Sequence, residues 1–540
     1  MPSFGRASVL GFLCVCACGD GLVSVESRNE TSRQGLAPLL TPCLFTPASG
    51  AMTIVLAASE FAHLERRLSD SALLINGETC DGGGTFARST TALRATVSGD
   101  VSGSETLLLD FTNGLFLRGS ATTAAVNIDL GGGGTDVLQL RGSPVKDTMR
   151  AGALGWDTTG DGLRDLTLVN VSSVIVTLGD GDDVFSAAGG GNLGGASGSA
   201  LNLTVYGGPG KDTLTGGDGD DALFGDSGND TLSGGASELD ADTYSGGADV
   251  DTVTWASRTS SVTVTVGAGA NDGASGESDD VGADVEVVIG GSGADTFTGW
   301  TGSQTFYGGA GDDVFRMGLL ASTGAGADTV YGEAGQDTVD YGARLEAVTV
   351  TMDLNAANDG NAAATESDTI RNDVEHFVCP TAAVVCTVTG NALDNRITGG
   401  GGSDWLSGGS GDDTFIVGAS AGIGAGADVF TGGAGVDRVD FTAFGASLDV
   451  RMDEVASSTQ GKRIGLDVED LACPTASACT VLGNGLNNHL WGSTQLDTLS
   501  SAGGDDFVET NGGADVVDCG DGSDILIGAG AVPVGVTCEL

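Results

Sequence analysis

The sequence predicts an all-β fold, in which short strands stack as a parallel solenoid after a β-rich N-terminal region. A nine-residue unit with a glycine pair and an aspartate recurs from residue 207 to about 530. A large apolar residue keeps the same place in each unit, and residues 50–206 contain runs that alternate apolar and polar residues. A fixed repeat period is typical of solenoids, and alternation is typical of half-buried strands.

The composition is strongly acidic and rich in glycine. The 540 residues include 93 glycines, and 73 acidic residues against 22 basic ones give a formal net charge of −51. Such a charge repels nucleic acids and anionic lipid headgroups, so neither is an expected partner. The expected partner is a cation.

The first 18 residues have the features of a secretory signal peptide: one basic residue, a short apolar run and small residues at its end. The run ends in "VCAC" (15–18), which also resembles a bacterial lipobox and would then place a lipid anchor on Cys18. A buried N-terminal strand is the alternative. We expect an extracellular or cell-surface protein, whose only contact with a membrane would be that anchor.

Cysteine usage agrees with an oxidising compartment. Beyond residue 18, eight cysteines remain, without the C-x-x-C spacing of zinc sites. We pair them by proximity in the sequence: Cys43 with Cys80, Cys379 with Cys386, Cys473 with Cys479, and Cys519 with Cys538.

The repeat unit reads G-G-x-G-x-D-x-U-x, where U is a large apolar residue. Clear copies begin at 131, 207, 216, 290, 308, 399, 408 and 432; weaker ones begin at 225, 332 and 390, and a C-terminal array begins at 483, 492, 501, 510 and 519. Glycine supplies positive-φ turns, and x-U-x suits a short strand with U facing inward. Two units complete one coil, so we expect unit n to lie over unit n+2.

This stacking predicts a metal site. It places Asp212 under Asp230, with Asp221 on the opposite side. Strands stack about 4.7–4.9 Å apart, close to the separation of opposed oxygen ligands around calcium, whose bonds are about 2.3–2.6 Å. Magnesium has shorter bonds, and zinc prefers nitrogen or sulfur. Because each unit buries only one apolar side chain, we expect these stretches to fold as calcium binds.

The nonapeptides resemble those of the RTX, or hemolysin-type, calcium-binding proteins, whose repeats form a parallel β-roll. The resemblance covers residues 207–527 with interruptions. It implies several bound calcium ions held by carboxylates and by glycine carbonyls. By position, the implied ligands are Asp212, Asp221, Asp230, Asp295, Asp313, Asp404, Asp413, Asp437, Asp506, Asp515, Asp524, Gly208, Gly210, Gly217 and Gly219.

A longer duplication contains the repeats. Residues 308–341 recur from 408, and each copy continues into an alternating strand, a polar loop and "DVE" (373 and 467). An earlier copy begins at 246. The polar loops of that copy and of the copy from 308 contain Asp272, Glu277, Asp279, Asp359, Glu366 and Asp368. We interpret these residues either as further calcium ligands or as a solvated acidic surface. The third copy has "SSTQGKRIGL" there and no such site.

Residues 50–206 are less regular. Four stretches, beginning at 106, 125, 165 and 174, predict strands, whereas residues 59–74 fit a helix or a strand. Asp157, Asp161 and Asp165 have the spacing of an EF-type calcium loop, but Leu168 replaces its final glutamate. A turn between two strands is the alternative.

We expect seven segments along the chain. They are a signal peptide (1–18), a β-rich region (19–206), a first repeat block (207–256), three larger units (257–345, 346–445 and 446–530) and a C-terminal cap (531–540).

The sequence favours a non-catalytic protein. The H-E-x-x-H and P-loop signatures are missing, and Ser227 in "GDSG" is in phase with the repeats. We therefore expect a calcium-stabilised protein with a structural, adhesive or matrix role, with surface polysaccharide among its candidate partners. The alternative is an extracellular polysaccharide-active enzyme with its site in residues 50–206.

Overall fold

In a computed structural model of the chain, short strands stack in parallel register, rung upon rung. The structure describes residues 43–46, 51–55, 61–66, 73–75, 78–79, 94–99, 103–113, 124–131, 133–194, 198–235, 239–299, 302–317, 326–352, 359–361, 367–418, 426–456, 461–528 and 538. In these residues every regular element is a strand except the 3-10 turn Gly191–Leu193. None of the described helices is long and apolar enough to cross a bilayer. The predicted all-β fold is confirmed.

Two sheets form the first part of the stack. Sheet 1 contains, in spatial order, β1 (Cys43–Thr46), β2 (Ala51–Val55), β6 (Arg94–Ser98), β8 (Val126–Asp129), β12 (Leu166–Val169), β11 (Gly155–Asp157), β10 (Thr148–Gly152), β14 (Val184–Ser186), β16 (Thr213–Thr215), β18 (Thr231–Ser233), β20 (Thr252–Thr254), β24 (Val287–Ile289), β26 (Thr305–Ala310), β28 (Thr329–Ala334) and β32 (Thr369–Ile370). Sheet 2 contains β23 (Asp280–Val281), β19 (Thr243–Ala248), β17 (Ala222–Ser227), β15 (Leu203–Pro209), β13 (Ser173–Thr177), β9 (Val137–Arg141), β7 (Thr106–Asp110), β3 (Phe61–Arg66), β4 (Leu73–Ile75) and β5 (Glu78–Thr79).

Three further sheets continue the stack. Sheet 3 contains β22 (Gly273–Ala274), β21 (Val262–Thr265), β25 (Thr296–Thr298), β27 (Val314–Arg316), β29 (Thr338–Asp340), β33 (His376–Val378), β35 (Arg396–Thr398), β37 (Thr414–Ile416), β39 (Arg438–Asp440), β42 (Asp470–Ala472), β44 (His489–Trp491), β46 (Phe507–Glu509) and β48 (Ile525–Ile527). Sheet 4 contains β31 (Gly360–Asn361), β30 (Val348–Thr351), β34 (Cys386–Thr389), β36 (Trp405–Ser410), β38 (Val429–Ala434) and β41 (Arg463–Ile464). Sheet 5 contains β40 (Leu448–Arg451), β43 (Cys479–Leu482), β45 (Thr498–Ser500) and β47 (Val516–Asp518).

The register confirms that each repeat lies over the next but one. Leu214 on β16 pairs in parallel with Leu232 on β18, and Val205 pairs with Leu223 on the other face. These four side chains are 0% exposed, while their strand neighbours face outward or are half-buried. The apolar residue of each unit therefore forms the core between the two faces, as the period of two along a strand requires.

The N-terminal rungs continue into the repeats without a change of register. Strands β7, β9, β13 and β15 pair in parallel, so that Leu138 lies between Leu107 and Val174. The four predicted strands of this region are present as β7, β8, β12 and β13–β14. The helical interpretation of residues 59–74 is wrong for β3, which pairs with β7 and buries Ala62 and Leu64 on one side. The local sequence fits a helix or a strand, and pairing with β7 at the edge of the sheet selects the strand.

The longer sequence duplication corresponds to three junctions, each a rung of three strands instead of two. At the first, β19, β20 and β21 are followed by β23, β24 and β25 stacked on them, after which sheet 2 ends and sheet 3 replaces it. At the second, sheet 4 replaces sheet 1; at the third, sheet 5 replaces sheet 4. Each copy of the duplication therefore exchanges one face of the stack.

Three disulfides match the predicted pairs. Cys379 bonds Cys386, Cys473 bonds Cys479, and Cys519 bonds Cys538. The first two join the ends of short loops that precede β34 and β43. The predicted pair Cys43 with Cys80, the signal peptide and the lipid anchor at Cys18 lie outside the described residues or side chains.

Candidate metal centre

Aspartates at the same place in successive rungs form ladders. The backbone N–H of Asp212 donates to Oδ1 of Asp230 over 2.7 Å, and the N–H of Asp230 donates to Oδ1 of Asp251 over 2.8 Å. The ladder begins earlier, since the N–H of Asp183 donates to Asp212 over 2.7 Å. Each carboxylate thus lies directly beside the next one, as the predicted stacking requires.

All eleven aspartates predicted from the repeats are buried, but they do not form one cluster. The structure divides them among separate ladders: Asp212 with Asp230, Asp295 with Asp313, Asp413 with Asp437 and Asp506 with Asp524, while Asp221, Asp404 and Asp515 each pair with an aspartate outside the predicted set. The ladders run along both faces of the stack because the same position recurs on each face; Gln304, Asn395 and Asn488 occupy it in some rungs.

One oxygen of many ladder carboxylates has no hydrogen-bond donor. Among the described residues, the buried Oδ2 atoms without a donor include those of Asp183, Asp212, Asp230, Asp251, Asp313, Asp337, Asp413, Asp437, Asp506 and Asp524. A buried ionised oxygen without a partner is costly, and a cation is the ligand that satisfies it. Hard cations prefer such oxygen donors.

Burial makes these carboxylates difficult to ionise in the absence of a cation. Burial is the largest influence, and neighbouring carboxylates add to it; together they raise the pKa of Asp212 to about 6, of Asp221 to about 7 and of Asp242 to about 8. A divalent ion beside the ladder would remove both penalties, because it neutralises the charge that burial disfavours.

The glycine turns bring backbone close to the carboxylates. A Cβ atom on Gly207 would lie closer to Asp212 Oδ2 than a van der Waals contact allows. Only glycine therefore lets the backbone lie this near the carboxylate. Gly208 and Gly210 follow with φ of 107° and 150°, conformations that favour glycine. Gly217 donates its N–H to Asp221 Oδ2 over 2.6 Å. The residues present fit calcium; ligation by the carbonyls of Gly208, Gly210, Gly217 and Gly219 stays a prediction.

The sequence motif missed several ladder members. Asp242, Asp328, Asp337 and Asp428 are buried and extend ladders although their units lack the full glycine pattern. Glutamates also end three ladders: Glu286, Glu375 and Glu469 accept from the N–H groups of Asp251, Asp337 and Asp437 over 2.8–2.9 Å. The recurrent "DVE" was the signal that could have identified these glutamates.

The described carboxylates of the acidic junction loops are buried, and Asp279 and Asp368 among them belong to the ladders. Calcium ligation by the other loop carboxylates stays a prediction. Asp272 is 1% exposed and accepts from the N–H groups of Thr265 and Val281, one on each oxygen. Asp359 does the same for Thr351 and Ile370. These carboxylates therefore close the hairpins of the first two junctions. Glu366 lies outside the described residues.

The EF-type spacing at residues 157–165 belongs to a turn. Oδ1 of Asp157 accepts from the N–H groups of Thr159 and Gly160, and Oδ2 accepts from Gly162. Asp165 accepts from Thr158. These residues form the strand-to-strand turn between β11 and β12, and calcium binding by Asp157, Asp161 and Asp165 stays a prediction.

A second group of ligand-type side chains lies on the N-terminal strands. Atoms of His63, Glu65 and Asp110 are within 4.8 Å of one another. The Asp110 carboxylate already accepts from His63 over 3.1 Å and pairs with Arg141 over 3.2 Å. A guanidinium neutralises this group, whereas the Asp212 and Asp230 ladder has only carboxylates at successive positions.

The parallel two-faced stack and its ladders define a calcium-binding β-roll protein. A family model described as the RTX calcium-binding nonapeptide repeat matches residues 204–237, 280–315, 321–343, 389–422, 424–443, 482–517 and 502–530. These residues contain RTX calcium-binding nonapeptide repeats, as the sequence pattern indicates. A comparison with curated proteins found no match.

Proposed function

We propose that the chain is an exported, non-catalytic protein whose calcium-stabilised β-roll attaches to cell-surface or matrix material. The outward aromatic and cationic side chains of the sheets carry this proposal. On sheet 3, Arg438 lies 4.3 Å from the centre of the Trp491 ring, which stacks on His489 at 3.5 Å. Trp, Tyr and Arg are the residues that most often dominate binding surfaces.

Other sheets present similar side chains. Tyr307 and Tyr331 stack at 4.5 Å on sheet 1, and Arg371 lies over Tyr331. Trp405 on sheet 4 is 61% exposed. Planar rings on a flat sheet suit the faces of sugar rings, which supports surface polysaccharide as the partner class.

One cleft lies among the described part of residues 50–206, where the alternative places an active site. The cleft has a volume of about 300 Å³ and is lined by residues such as Trp156, Thr167 and Ser199. None of its twelve lining residues is acidic, basic, His, Cys or Tyr. General acid–base chemistry needs a titratable group, so this cleft offers no such catalyst.

Attachment of the labelled full-length chain to the surface of producing cells tests the proposal. We expect attachment with calcium at about 1 mM, the range of extracellular modules, and little attachment with magnesium alone. Trp491→Ala should weaken it roughly tenfold, a loss of about 1.4 kcal/mol. Leu239→Ala, at an 85% exposed loop residue, is the control.

Equal attachment of Trp491→Ala, Trp405→Ala and wild type would contradict an aromatic surface. Release of new sugar ends from surface polysaccharide by the wild-type chain would favour the enzyme alternative instead.

A further inference from the structure

Each of the three junctions buries one basic side chain beside ladder carboxylates. Arg258 pairs with Glu277 over 2.6 Å, Arg344 lies 3.7 Å from Asp368, and Lys462 lies 2.5 Å from Asp428. The three basic side chains are 4%, 5% and 0% exposed, respectively, in a chain with only 22 lysines and arginines. A recurrent buried cation therefore belongs to the architecture of the junction.

The register identifies which residues correspond. Asp279, Asp368 and Lys462 each come directly before the strand that stacks on the previous rung, β23, β32 and β41. Those strands pair with the segments that follow Asp242, Asp328 and Asp428, respectively. Lys462 therefore occupies the ladder position that carries an aspartate in the other two junctions.

The aspartates at this position continue the ladder. The N–H of Asp242 donates to Asp279 Oδ1 over 2.9 Å, and the N–H of Asp328 donates to Asp368 Oδ1 over 3.0 Å. At the third junction, the Lys462 ammonium instead donates to Asp428 Oδ2 and to the carbonyl of Gly426. A positive group thus lies where the next negative group would be.

A second substitution accompanies the first. Arg258 and Arg344 each come three residues after a buried aromatic residue, Trp255 and Tyr341, but the third junction has Phe444 three residues after Phe441. The Phe444 ring lies 5.6 Å from the Lys462 ammonium. The third junction therefore has Phe444 at the position of the arginine. Its buried cation is Lys462, which comes directly before β41.

We propose that the Lys462 ammonium, which stands in place of the ladder aspartate and the junction arginine of the other two copies, neutralises the end of the Asp428 ladder without a bound calcium ion. A fully buried ammonium is costly unless oxygens surround it. Here a carboxylate, a carbonyl and an aromatic face do so, much as oxygen ligands surround an ion. This inference depends on calcium binding by the repeats and not on the attachment proposed above.

Two substitutions in the full-length, calcium-loaded chain test it. Lys462→Met removes the charge but keeps most of the side-chain volume, and it leaves Asp428 buried beside an apolar group. Its Tm in saturating calcium should fall by several degrees while the number of calcium ions bound per chain stays the same. Arg463→Met, at the exposed neighbouring residue, is the matched control and should leave both quantities unchanged.

Lys462→Asp restores the aspartate of the other junctions. We expect calorimetric titration to show one more calcium ion per chain than wild type, and the Tm to recover only at high calcium. The inference is overturned if Lys462→Met has the Tm of Arg463→Met, if Lys462→Met binds fewer ions than wild type, or if folded Lys462→Asp binds no additional ion. Should Lys462→Asp fail to fold, the Lys462→Met measurements decide alone.

Discussion

The N-terminal rungs and the nonapeptide rungs share one parallel register but differ in what stabilises them. Strands β9 and β13 each bury two apolar side chains, whereas β16 and β18 each bury one between outward-facing threonines and serines. A further buried aliphatic side chain contributes about 2 kcal/mol. The N-terminal rungs therefore obtain more of their stability from apolar burial than the repeats do.

The pKa values of buried carboxylates also differ between the two regions. Although Asp110 is largely buried, hydrogen bonds from His63 and Thr112 lower its pKa to about 2. Asp230 lies between ladder carboxylates, and burial followed by their repulsion raises its pKa to about 6. Asp110 therefore has partners within the chain for its negative charge, whereas Asp230 needs an external cation.

Removal of calcium should unfold the repeats and leave the N-terminal rungs folded. This is the largest effect we expect. At one hundred times its Kd, each bound ion stabilises the folded state by about 2.7 kcal/mol. After chelation, hydrogen exchange should show lost protection in peptides from residues 203–235 and retained protection in peptides from 137–177. Magnesium at equal concentration should restore little. Equal loss in both regions would show that the apolar N-terminal rungs are no more stable than the repeats.

Removal of one ladder charge should have a smaller effect. In Asp230→Asn, the amide oxygen still accepts from the Asp212 N–H, but the charge beside the buried Oδ2 position is lost. We expect the calcium concentration at half-folding, followed by circular dichroism, to rise roughly tenfold, or about 1.4 kcal/mol.

Asp220→Asn is the control for that measurement, because Asp220 is exposed and its Oδ1 accepts only a turn N–H. A shift as large in Asp220→Asn would mean that net charge, and not the ladder, sets the calcium requirement.

The smallest effect should appear in the pH dependence without calcium. The pKa values of Asp212, Asp221 and Asp242 are raised in the folded state, so their contribution to stability is present at low pH and is lost as the pH rises through about 6 to 8. In chelator, the repeats should therefore show more β signal at pH 5 than at pH 8.

Two contrasts sharpen that prediction. With calcium, the order should reverse, because protons compete with the ion for the carboxylates. The lowered pKa of Asp110 acts in the opposite direction and removes stability only as the pH falls from about 4 toward 2. A chelated chain that loses repeat structure on acidification to pH 5 would contradict the raised pKa values.

Local patterns predicted much of the fold and of the candidate site. A nine-residue period with one inward residue places Leu214 over Leu232 and Asp212 beside Asp230, since both follow from two units per coil. Three disulfides followed from short separations in the sequence. Asp242 and Asp337 were missed because membership in a ladder depends on the position within a rung and not on the flanking glycines.

By itself, the sequence determined the strand period, the face of each buried side chain and the carboxylate chemistry, because these depend on residues a few positions apart. Only the tertiary structure decided that residues 61–66 form a strand, that three junctions exchange one sheet for another, and that Lys462 meets Asp428. Those features join residues 31 or more positions apart, where the pairing of sheet edges and the cost of buried charge select the partner.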